Sequence, residues 1–136
     1  MKTLKTVTAA LLLTLSISAT AAEDQENQLR NDMRSMLSAM EVIQRGGFYK
    51  DKASMKEGIK HLKESLSSLR STDAKSYLPK DQAYASRFAN KRADMITMFA
   101  DDLMATSSKD NWDDALNDYQ QILSQCTSCH LRIRAY

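Results

Sequence analysis

Apolar residues in this chain return in steps of four and three. Leu29, Met33, Met36, Met40 and Ile43 form one such series, and Met55, Ile59, Leu62, Leu66 and Leu69 form a second. Side chains at this spacing share one face of an α-helix. Gly46-Gly47 should end the first helix, because glycine accepts the left-handed conformation found just past a helix end. Gly58 lies inside the second series, where it costs about 1 kcal/mol of helix propensity and marks a close approach to a neighbour. The span from Ser71 to Lys80 holds the chain's one proline, Pro79, and reads as the longest loop. A third helix is expected from about Asp81 to Thr106, with Phe88, Met95, Phe99 and Leu103 on its apolar face. After a short polar connection, Asp110 and Asp113 are expected to cap a fourth helix carrying Trp112, Leu116, Tyr119, Ile122 and Leu123. No segment alternates as a strand would. Heptad steps joined by short loops predict an all-α chain, an antiparallel up-down-up-down four-helix bundle.

The fourth helix carries the chain's most specific chemistry. Cys126-Thr127-Ser128-Cys129-His130 is a Cys-x-x-Cys-His motif, the attachment site of a c-type haem. Two thiols add across the haem vinyl groups, and the adjacent imidazole reaches the iron as proximal ligand. Positions three and four apart on a helix project from one side, so a single turn can hold the macrocycle and the metal together. The competing readings explain less. A structural zinc site needs four ligands, and beyond the motif the chain has no other cysteine and only one other histidine, His61. A dithiol redox site belongs in a βαβ setting, which is lacking here. A plain disulfide would leave His130 without a role.

The other end of the chain points to export. Lys2 and Lys5, then the apolar stretch from Val7 to Ile17, then Ala19-Thr20-Ala21 read as a cleaved secretory signal over residues 1–22. Its apolar core falls short of the roughly 20 residues a membrane span needs, so a soluble periplasmic product without a membrane span is expected, its single domain covering residues 23–136. Covalent haem attachment takes place on that side of the bacterial inner membrane, so leader and motif support each other. The precursor has 19 basic residues against 17 acidic ones. Losing Lys2 and Lys5 leaves 17 of each, and a net-neutral surface argues against nucleic acid and against anionic lipid as partners.

Four helices behind a leader, with Cys-x-x-Cys-His on the last, resemble the class II c-type cytochromes, the cytochrome c prime family. The resemblance covers essentially the whole mature chain. It is most specific from Cys126 to Arg134, since the family usually follows its histidine with an aromatic or aliphatic residue and then arginine, as in Ile133-Arg134. The polar stretch from Ser107 to Ala115 is similar to the family's turn into helix four. Elsewhere the likeness is one of helix pattern alone. The resemblance implies one covalent haem c and its iron near one end of the bundle, between helices one and four. It also implies electron transfer with transient redox-partner proteins, as a monomer or homodimer. The small class I cytochromes carry the motif near the beginning of the chain.

The ligand on the far side of the iron separates two functions. Some family members are similar to electron carriers with a methionine from helix one; others keep that side open or apolar and bind gases such as nitric oxide. If helix one begins near Gln25, Met33 lies about 12 Å along it, Met36 about 16 Å and Met40 about 22 Å, while His130 lies about 9 Å from the chain's end. That count favours Met33, and the run Leu29-Arg30-Asn31-Asp32-Met33 resembles the ligand-bearing segment of six-coordinate members. Met33 also occupies a regular core position, where methionine is a common filler. Met55, Met95, Met98 and Met104 read as packing. Arg134, four residues beyond His130, shares its face and is a candidate for a haem propionate. Arg132 is accounted for by the helix dipole, Phe88 and Phe99 by core packing, and His61 by a solvated surface position. Asp101-Asp102 and Asp113-Asp114 diverge by about 100° and form no catalytic dyad, so no enzymatic activity is expected. The expected function is single-electron transfer, with gas binding at an open distal face as the alternative.

Overall fold

The computed structural model describes residues 4–71 and 84–133. It is all-α, with four helices in an arrangement compatible with a four-helix bundle: α1 (Leu4–Tyr49), α2 (Lys52–Ser71), α3 (Ala85–Ser108) and α4 (Trp112–Ile133). Among the described residues there is no strand, and no helix is long and apolar enough to cross a membrane. The expected loop around Pro79 lies outside the described residues.

Helix α1 differs from expectation at both ends. It runs unbroken from Leu4, not from near Gln25. Its Ala- and Leu-rich beginning is made of strong helix formers, and no glycine or proline interrupts the path before Gly46. Nor does Gly46-Gly47 end it. The helix continues to Tyr49, and Lys50, at φ 53°, takes the left-handed position, with Asp51 N–H donating to the Gly46 carbonyl at 2.8 Å. Gly46 serves close packing instead, since a Cβ there would sit 2.9 Å from the Met55 backbone nitrogen. Asp51 then caps α2. Its carboxylate accepts from the Ala53 and Ser54 amides at 3.0 and 3.3 Å and from the Ser54 hydroxyl at 2.6 Å. The Ser54 bonds hold its pKa below the usual carboxylate value.

Gly58 is the tightest point between α1 and α2. A Cβ there would lie 2.7 Å from Ile43 Cγ1, 2.9 Å from the Ile43 nitrogen and 3.0 Å from the Ala39 oxygen. Two of these atoms are backbone and cannot turn aside. Gly58→Ala should therefore lower stability by up to about 2 kcal/mol in urea or thermal unfolding, the difference between overpacking of about 1–3 kcal/mol and a gain of about 1 kcal/mol in helix propensity. A midpoint that rose would mean that the two helices part without cost.

The core comprises Met36, Ala39, Met40, Ile43, Met55, Ile59, Leu62, Leu66, Ala93, Ile96, Ala100, Leu103, Ala115 and Ile122. On α1 and α2 this matches the heptad reading. On α3 the buried stripe is Ala93, Ile96, Ala100, Leu103 and Ser107, while Phe88, Met95 and Phe99 are half-buried. On α4 Ala115, Ile122 and Gln125 are buried, whereas Leu116 and Leu123 are 55% and 45% exposed. Small and large side chains thus share the interior of these two helices. The expected cap of α4 is also displaced. Asp110 adopts φ 61° and pairs with Lys52 at 2.7 Å. Asn111 precedes the first helical residue, its side-chain amide donating to Asp114. Asp113 and Asp114 sit in the first turn, where the helix dipole favours them.

Contacts between elements are uneven. α1 packs chiefly on α2 and α4 on α3; α2 joins α3 less extensively, and α1 meets α4 only slightly. Lys63 and Arg70 of α2 pair with Asp101 and Asp94 of α3, and Lys52 at the start of α2 pairs with Asp110 in the connection after α3. Exposed pairs of this kind contribute little stability, but they fix register.

Candidate haem-attachment site

The Cys-x-x-Cys-His motif occupies the last turns of α4, a helix whose buried phase runs through Ala115, Ile122 and Gln125. Cys126 continues from that phase and packs against the core. Cys129 and His130 are likewise half-buried, so the three functional side chains line the edge of the core, neither sealed in it nor free in solvent. Thr127, between the thiols, turns its hydroxyl back to the Leu123 and Ser124 carbonyls, each at 3.1 Å. The intervening polar residue is thus satisfied within the helix.

Both cysteines are thiols and not a disulfide. Burial pushes the Cys126 thiol up to about 11, and the neighbouring Cys129 adds to the shift. Burial also raises Cys129, partly opposed by the Arg92 guanidinium. Burial likewise raises Tyr119, helped by the proximity of Cys126. A redox dithiol works through a lowered thiol pKa, so these shifts run against that reading. Among the described residues no three His, Cys, Asp or Glu side chains gather as a metal cluster. Two thiols and an imidazole on neighbouring turns of one helix are a donor set that fits covalent haem.

Met33 lies on α1, half-buried and packed against the core. Met36 and Met40 are buried within it. Arg134 lies outside the described residues. His61 is exposed, as expected. Arg30, near the start of the Met33 segment, pairs with Glu26 one turn earlier. A hollow of about 550 Å³ opens along the last turns of α1 between Glu41 and Tyr49, and none of the motif residues line it.

Three polar residues at the core edge escaped the sequence reading. Gln125 is 5% exposed and Asp32 4%. Asp32 Oδ1 accepts from Gln28 Nε2 at 2.9 Å, while Oδ2 is buried without a partner. Arg92 of α3 donates through Nη1 to Gln125 Oε1 at 2.5 Å, and its buried Nε also lacks a partner. The Arg92 guanidinium stands 4.7 Å from the Phe88 ring centre, and that of Arg132 stands 4.9 Å from the same ring. Arg132 thus does more than complement the helix dipole. Asp32 and Gln125 carried a readable signal, because each falls in step with buried apolar neighbours (Asp32 with Met36, Gln125 with Ile122), and a polar residue at a core position calls for an explanation.

Comparison with protein-family profiles, curated proteins and solved structures finds no match to this chain.

Proposed function

We propose that this chain is an exported, periplasmic monohaem c-type cytochrome that transfers single electrons. The observation that carries the reading is Cys126, Cys129 and His130 on the closing turns of α4, with both thiols unbonded and all three side chains at the core's edge. Cys126 and Cys129 would hold haem c covalently, and His130 would ligate the iron. Once bound, haem supplies the one-electron ferric–ferrous couple. The helices exclude water from the ring and fix its ligands, the levers that set the potential. Residues 1–22 act as the export signal and residues 23–136 as the working domain, in the manner of the cytochrome c prime family.

In this reading the helices form an up-down-up-down bundle. The opposed order of the ion pairs that α2 makes with α3 and with the residues just after it supports it, as do the pairings Gln28–Ser68, Ile43–Gly58 and Gly46–Met55 between α1 and α2. Haem lies between α1 and α4, which have little packing on each other to displace. Met33 is the proposed distal ligand, for of Met33, Met36 and Met40 on α1 it is the one that the core has not fully enclosed.

The second reading, a gas-binding cytochrome with an open distal face, draws on the same residue. Met33 packs against the core, and that contact alone accounts for it. Mass and absorption spectra of the exported protein test the proposal. A mass above that of the polypeptide by one haem, with ferric and ferrous haem spectra, is expected. A mass equal to the bare chain would end the haem reading in both forms.

A further inference from the structure

Arg92 is built into the site from α3, yet the packing of the bundle does not use it up. Its Nη1 is spent on Gln125, a residue 5% exposed that directly precedes Cys126. Its guanidinium lies over Phe88, one helical turn earlier on α3, and the same ring receives Arg132, two residues beyond His130. These two contacts tie Arg92 to the turns of α4 on either side of the thiols. The Arg92 charge is also felt at Cys129, where it opposes the rise caused by burial.

Among the described residues Arg92, like most of the other cations, has no carboxylate within ion-pair distance. Its second edge sets it apart. Arg92 Nε is buried and donates to nothing. A buried donor without an acceptor is costly, and a tie between α3 and α4 would need only the Nη1–Gln125 bond. A planar guanidinium with one edge anchored and the other undirected is suited to a carboxylate, which it takes through paired hydrogen bonds.

We infer that Arg92 is a haem-binding residue, receiving a haem propionate on its Nε edge while Gln125 and Phe88 hold the guanidinium in place. The inference rests on the haem reading proposed above. A fixed cation paired with a propionate disfavours the more positive ferric state, so Arg92 raises the reduction potential. Arg132, exposed to solvent, contributes less.

The test uses the exported holoprotein in wild-type, Arg92→Gln, Arg92→Lys and Arg132→Gln forms. It records the midpoint potential and the propionate bending band of the resonance Raman spectrum. Arg92→Gln should lower the potential and shift the band. Arg92→Lys, which keeps charge and stem, should hold most of the potential but still shift the band, because an ammonium lacks the planar fork; it serves if Arg92→Gln does not fold. Arg132→Gln should leave the band in place. Haem-loaded variants of Arg92 with unchanged potential and band would overturn the inference while leaving the cytochrome reading intact. So would a band that moves only in Arg132→Gln. A wild-type protein without covalent haem would overturn both.

Discussion

Replacing Cys126 and Cys129 together by alanine should leave a protein from which acid-acetone extracts all haem, whereas the wild type should keep its haem through denaturation and extraction. The expectation follows from the placement of the thiols. Both are half-buried on successive turns of α4, neither is bonded to the other, and burial holds both as unionised thiols. Nothing in the helix requires them, since Thr127 and Ser124 complete their own local bonds and alanine is the better helix former. The double variant should therefore retain α4, and any haem that it takes up should be held by coordination alone. Each single variant should keep one thioether and resist extraction. Haem that stays attached in the double variant would place the covalent link elsewhere and remove the basis for the whole site.

What the sequence made legible was the period, and what it hid was the phase. Steps of four and three over about four turns identify a helix and its inner face when the inner residues are large, as on α1 and α2. On α3 and α4 the large apolar residues and the buried ones coincide only in part, at Ile96, Leu103 and Ile122. Ala93, Ala100 and Ala115 take interior positions, while Leu116 and Leu123 are left half-exposed. Alanine gives almost no hydrophobic signal, yet it decides how near two backbones come. Glycine misled in the same way. Gly46 carried a stop signal, but the cross-helix contact with Met55 sets its identity, and a helix end is a local feature that tertiary packing overrides.

The site divides along similar lines. Cys126, Cys129 and His130 announce themselves because their chemistry depends on spacing within one helix. Arg92 could not be found that way, as its meaning comes from Gln125 and Phe88, 33 positions ahead and four positions behind it in the sequence. Asp32 is intermediate. Its step of four from Met36 puts a carboxylate in the core's phase, and the structure buries it with one oxygen unpaired. These two polar atoms without partners both lie on residues that the packing reading passed over, one of them directly before Met33.

Met33→Ala should change the haem's spin state, its reactivity and its potential together. With Met33 on the iron, ferrous protein is low-spin and slow to take carbon monoxide or nitric oxide, and ferric protein shows a weak far-red band from sulfur-to-iron charge transfer. Removing the thioether should abolish that band, speed gas binding and lower the potential, because a thioether ligand favours ferrous iron. Met36→Ala is the control. Met36 is buried within the core beside Ala39 and Met40, so its truncation should cost about 2–5 kcal/mol of stability and leave the spectrum unchanged. The contrast works because the two residues lie one turn apart on α1 yet differ in enclosure: Met36 is spent on packing, while Met33 keeps part of its surface free of the core. A wild type that is high-spin, binds gas freely and keeps both properties in Met33→Ala would show that Met33 is a core residue like its neighbour. The distal face would then be open, and gas binding would replace electron transfer as the function of this chain.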